Sequence, residues 1–183
     1  QEFLDGSWLL IIFAGNDTSR NSLSGTIRLM TEFPDQRAMV INDPTLVPRM
    51  SEEALRMVSP VMHMRRTALE DTELNGQRIA KDEKLVLWYG AANRDPDIFS
   101  EPDIFDIQRK NAEKHVAFGH GVHKCLGSRI AQMQLRLAFE RIFDRFPKIA
   151  WTGKQKISPN ALVHAISSMQ VNLYGLGRTR PVS

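Results

Sequence analysis

The only cysteine of this 183-residue chain, Cys125, lies in Phe118-Gly119-His120-Gly121-Val122-His123-Lys124-Cys125-Leu126-Gly127, a glycine-rich stretch that runs straight into a strongly helical segment. One cysteine excludes an internal disulfide, so the fold must be held by a packed core, and the composition suits a reducing compartment. Glycines let backbone N–H groups approach the sulfur, and the positive end of the following helix favours a thiolate. The stretch is therefore built to hold a negative sulfur. A nucleophile, a zinc ligand and the axial ligand of a haem all fit it, and these residues alone do not choose among them.

The chain can build such a core. Its apolar residues make up 42%, with eleven glycines besides, as in soluble globular chains, which excludes disorder and collagen. The length suits one domain, or one large lobe of something bigger. The longest apolar run, Trp8 to Gly15, is too short for a transmembrane helix. Acidic Glu2 and Asp5 stand where a signal peptide needs basic residues, and the chain opens on Gln1. A truncated start and a cytoplasmic location are the expectations.

Spacings of three and four from Phe3 to about Thr31 predict a long helix. Pro34 opens a short one over 33–41, and a third covers about Val47 to Val58, closed by Ser59-Pro60. Asn75-Gly76 between alternating stretches predicts a hairpin, and Leu85 to Tyr89 a further strand. Asn93 to Lys114 reads as a long irregular loop. The helix after the cysteine runs from about Leu126 to Phe146, and the tail reads as short strands with turns at Thr152-Gly153 and Ser158-Pro159-Asn160.

Charge is uneven. Between Arg109 and Lys148 nine basic residues face only Glu113, Glu140 and Asp144, whereas the chain as a whole carries +3. Such a segment is a solvated helix face, a dock for an acidic protein or a nucleic-acid site, and no aromatic interleaving supports the last.

Phe118-x-x-Gly121-x-x-x-Cys125-x-Gly127 resembles the cysteine-ligand signature of the cytochromes P450, the haem-thiolate monooxygenases. Three more patterns follow that family's order. Ala14-Gly15-Asn16-Asp17-Thr18 is similar to the oxygen-activation motif of its long central helix, and Glu53-Ala54-Leu55-Arg56 to its Glu-x-x-Arg. Ala91 to Pro96, followed by Phe105 to Arg109, resembles the loop ahead of the cysteine in soluble bacterial members. The resemblance spans essentially all of 1–183 but only the C-terminal part of the family fold, a mainly α (α+β) architecture of helices with small β-sheets.

The resemblance implies haem b held by the Cys125 thiolate, which pushes electron density that favours O–O cleavage, with O2 as co-substrate. Phe118, Gly119, Gly121 and Gly127 would shape the ligand loop, and His123 and Arg66 would meet the haem propionates. Ala14 and Gly15 would leave room for oxygen, while Asp17 and Thr18 form an acid and alcohol pair able to relay protons. Glu53, Arg56 and Arg109 would form a structural ion-pair group. Val61, Met62, His63 and Met64, with Leu162 and Val163, would face a hydrophobic substrate. His63, His115 and His164 otherwise read as satisfied structural histidines.

The texture of Gly15 to Thr18 and of Val122 to Arg129 is closest to bacterial hydroxylases of alkanes and fatty acyl chains, with terpene and steroid hydroxylases sharing much of it. The expected partners are an iron–sulfur ferredoxin with its NAD(P)H-dependent reductase, the ferredoxin docking on Lys110, Lys114, Lys124, Arg129 and Arg136; neither nucleic acid nor a membrane span is expected. A rival from another class is a zinc-stabilised module using His115, His120, His123 and Cys125, and it gives no role to Asp17-Thr18 or Glu53/Arg56. A haem-thiolate protein that binds without oxygenating is a second rival, against which the Asp17-Thr18 pair argues.

Overall fold

The structure, a computed structural model, describes residues 1–175. Three helices open the chain: α1 (Glu2–Glu32), α2 (Pro34–Asn42) and α3 (Val47–Val58). α1 ends at Phe33 because Pro34 cannot continue it, and that proline, lacking an N–H, suits the first turn of α2. Asp43 Oδ1 then accepts from the Thr45 amide at 3.0 Å and its hydroxyl at 2.6 Å, holding a single turn, Pro44–Leu46, that feeds α3. At the far end of α3, Ser59 takes the left-handed conformation (φ 41°) and its amide bonds the Leu55 carbonyl before Pro60.

Two small antiparallel pairs follow. β1 (His63–Thr67) pairs with β4 (Lys84–Trp88), and β2 (Thr72–Leu74) with β3 (Gln77–Ile79). Asn75 and Gly76 both have positive φ, 49° and 79°, as a tight hairpin turn of matching twist requires. A four-residue helix, α4 (Tyr89–Ala92), leads into an irregular loop interrupted only by the turn Ala112–Lys114. α5 (Ser128–Arg145) and the antiparallel pair β5 (Ala150–Ser158) and β6 (Ala165–Asn172) complete the described chain.

Two expectations change, and one strand is new. His63–Thr67 is a strand, although its sequence does not alternate; it exists because β4 lies beside it. Thr152-Gly153 is not a turn: between Trp151 and Gln155 strand β5 carries two more residues than β6 opposite it, and Gly153 (φ 87°) lies in that bulge. α5 begins at Ser128, leaving Leu126 and Gly127 in the loop.

The core lies where α1, α3 and α5 meet. α3 presents Met50, Ala54 and Leu55, α5 the i, i+4, i+8 stripe Leu135, Phe139 and Phe143, and α1 Leu29 and Met30, all buried. α1 uses small and polar residues for close approach, with Asn21, Ser22, Gly25 and Thr26 buried ahead of Leu29. Its first half buries nothing among the described residues, and Trp8, Leu9, Leu10 and Phe13 are exposed. No helix among the described residues is long and apolar enough to cross a membrane.

Candidate functional site

The cysteine loop is pinned at both ends by backbone bonds. The Cys125 amide donates to the Phe118 carbonyl at 2.8 Å, and the Cys125 carbonyl accepts from Ser128, the first residue of α5, at 3.3 Å. Between them Gly121–His123 make a single tight turn, with the Lys124 amide on the Gly121 carbonyl. Gly119 has φ 70°, a left-handed conformation that demands glycine, with the His123 carbonyl and the Tyr89 hydroxyl 3.4 Å from where a Cβ would lie. The loop holds Cys125 exposed, beside Val122 (98% exposed) and Leu126 (95%). A bare sulfur between uncovered apolar side chains, just ahead of a helix, suits a flat apolar group carrying a metal. The donor set fits haem, with exposed His123 and half-buried Arg66 as polar partners. Arg66 bonds the Arg65 carbonyl, and no hydrogen bond joins it to His123 among the described residues.

Behind the loop, Arg56 and Glu53 form a two-pronged pair at 2.8 Å on each prong, and Arg109 Nε donates to Glu53 Oε1 at 3.0 Å. Glu53 and Arg56 are fully buried. Every remaining guanidinium hydrogen bond goes to a backbone carbonyl: Arg56 reaches those of Asn93, Pro102 and Ile104, and Arg109 those of Ser100, Glu101 and Ile104. These three side chains thus fold the irregular loop around themselves, giving otherwise orphaned carbonyls partners.

Two groups outside the ion-pair set complete this frame. Asn93, fully buried, donates to the Ser59 hydroxyl at 2.7 Å and accepts from the Val116 amide at 2.7 Å. Glu52 takes His115 Nε2 at 3.2 Å on one oxygen and Gln132 at 2.6 Å on the other. Burial pushes the Glu52 carboxyl up, but the hydrogen bonds of His115 and Gln132 and the charge of Lys124 together hold it below its ordinary value. Adjacency to Glu53 was the only sequence signal for Glu52. His115 is bound here, and among the described residues no three ligating side chains could hold a metal ion, so the zinc module has no geometric support.

On α1 the hydroxyl of Thr18 donates to the Ala14 carbonyl at 2.6 Å, and Asp17 pairs with Arg20 at 2.9 Å. Acid and alcohol are adjacent and half-buried, each engaged within its own uninterrupted helix rather than with the other.

The two stretches expected to face a substrate do meet. Val61 bridges Val163, Met62 donates its amide to the Leu162 carbonyl at 2.9 Å, and Asn160 Oδ1 holds the Leu162 and Val163 amides. Val163 is buried by that bridge, while His63 packs edge-on to Trp88 at 4.8 Å and Met64 is exposed. Met62 and Trp88 line an open cavity of about 230 Å³ that ends on Arg94 and His164.

The sequence pattern of the family described as Cytochrome P450 matches residues 4–172. Linalool 8-monooxygenase of Pseudomonas putida is 42% identical over 92% of this chain and 41% of its own length. Methyl-branched lipid omega-hydroxylase of Mycobacterium tuberculosis is 36% identical over 90% of this chain and 39% of its own. Among solved structures, Cytochrome P450-153 from Novosphingobium aromaticivorans superposes with a TM-score of 0.87 at 41% identity, covering 91% of this chain and 42% of that one. A sulfur-presenting loop on a helical lobe with small sheets thus has its counterpart in a cytochrome P450. The chain belongs to the cytochrome P450 family, and it spans about two fifths of the length of these relatives.

Proposed function

We propose that the protein carrying this chain is a monooxygenase that hydroxylates an unactivated C–H bond of a hydrophobic substrate, first of all an alkane or fatty acyl chain. The observation that carries this reading is the exposed Cys125 thiol, tied to Phe118 ahead of α5 in a cytochrome P450 chain. Bound haem b would supply the activation of O2, using two electrons. Cys125 would hold its iron, in the loop that Phe118, Gly119, Gly121 and Gly127 shape, while His123 and Arg66 would neutralise the propionates. Ala14 and Gly15 would leave room for oxygen. Asp17 and Thr18 would deliver protons there, which requires the Thr18 hydroxyl to leave the Ala14 carbonyl and Asp17 to exchange Arg20 for water. Val61 to Met64 with Leu162 and Val163 would line the substrate space.

Glu53, Arg56 and Arg109 act at a distance, as the frame under the cysteine loop. Electrons would come from an iron–sulfur ferredoxin and its NAD(P)H-dependent reductase, in the cytoplasm. The 42% identity to linalool 8-monooxygenase favours a second substrate reading, a terpene, and steroids form a third.

A reduced carbon monoxide difference spectrum of the haem-loaded protein tests the ligand. The thiolate-type band should appear and be lost in Cys125→Ser; a band unchanged by that substitution refutes the reading. Spin-shift titration across alkanes, fatty acids, terpenes and sterols then ranks the substrates.

A further inference from the structure

We propose that His115 is a positioning residue for the cysteine loop, acting on Cys125 through Phe118 while anchored to Glu52. His115 follows the Ala112–Lys114 turn, and its side chain is 3% exposed. The Ala117 amide donates to its Nδ1 at 3.1 Å, which leaves Nε2 to carry the proton given to Glu52 at 3.2 Å. Gln132 of α5 holds the other Glu52 oxygen, so one carboxylate of α3 joins the loop to the helix that the cysteine precedes. The His115 ring packs against Phe118 at 5.6 Å, and the Phe118 carbonyl is the acceptor of the Cys125 amide. The segment between is fixed at each residue: Val116 by Asn93, Ala117 by His115, and Gly119 by the Val116 carbonyl.

A phenylalanine, somewhat larger, would keep the ring contact but could make neither polar bond. The polar anchor therefore does what packing cannot: it fixes the rotation of the ring, hence the carbonyl to which Cys125 is tied. Metal–sulfur bonding is directional, and groups that orient a ligand weigh heavily on its bond.

This inference rests on Cys125 being the haem ligand, so the haem-loaded protein is first shown to give the thiolate-type carbon monoxide band. Absence of that band in the unaltered protein defeats the ligand reading, whereas the variants address His115. His115→Phe should raise the fraction with a protonated or lost sulfur ligand about tenfold, at unchanged helical content. His115→Gln, whose amide can still donate toward Glu52, should retain most of the thiolate band. An unaltered band in His115→Phe, or an equal loss in His115→Gln, overturns the proposal. If His115→Phe takes up no haem, Gln132→Leu decides. Loosening Glu52 from α5 should speed conversion of the thiolate band on mild warming by about threefold, and an unchanged rate overturns the proposal.

Discussion

Glu53 meets two arginines and one amide, Asp106, with no water-exposed surface on either Glu53 or Arg56. Burying a carboxylate and two guanidiniums is tolerable only because each charge has its partner; taking away the carboxylate strands two cations. Glu53→Ala should cost about 3–5 kcal/mol and prevent haem incorporation, read as a lower urea midpoint and lost Soret absorbance. The Glu53/Arg56 half of this group was legible in the sequence, being three residues apart on one helix. Arg109 needed the family pattern, because it lies 56 positions from Glu53. His115 is 63 positions from Glu52, and no local rule pairs a lone histidine with one carboxylate among many.

At the scale of elements, α1 and α3 touch through a glycine. A Cβ on Gly25 would lie 2.6 and 2.9 Å from the two methyls of Val58, and rotation about a stiff β-branched χ1 exchanges one methyl for the other. Gly25→Ala should therefore destabilise by about 1–3 kcal/mol from overpacking, against a helix-propensity gain of about 1 kcal/mol. In a Val58→Ala background the obstruction is gone and the same substitution should stabilise. A thermal-melt double-mutant cycle checks this change of sign; additivity would refute the contact. Such contacts were not readable from the chain, while the ends of α1, α2 and α3 were, since Pro34 and Ser59-Pro60 punctuate them through local sterics. β1 was missed for the opposite reason. His63 to Thr67 carry no alternation, and only pairing with β4, seventeen or more residues on, makes them a strand. The Thr152-Gly153 turn signal was genuine local chemistry, overruled by the pairing of β5 with β6 and accommodated as a bulge.

Across the whole molecule two charge effects separate by pH and by salt. Glu52 has its folded value held below the ordinary carboxyl value, so the unfolded chain binds the proton more readily. Its contribution is complete above the unfolded value and is lost as pH falls through the folded one. His164 acts in the same sense: burial first, then the charge of Arg28, depress it, and folded protein resists its protonation as pH drops below the unfolded value. Stability should thus fall in two stages on acidification, the earlier removed by His164→Gln and the later by Glu52→Gln, as chemical unfolding at graded pH would reveal. Salt acts elsewhere. Lys110, Lys114, Lys124, Arg129 and Arg136, which flank the cysteine loop in sequence, are all exposed, while Arg109 from the same basic segment is buried and spent on Glu53. An acidic electron donor approaching that face gains from long-range attraction, which ionic strength screens within about 10 Å at 0.1 M. Stopped-flow reduction by a ferredoxin should slow steeply with added salt, and Lys124→Glu should slow it further at low salt while flattening the salt dependence. A rate indifferent to both would place electron entry on another face.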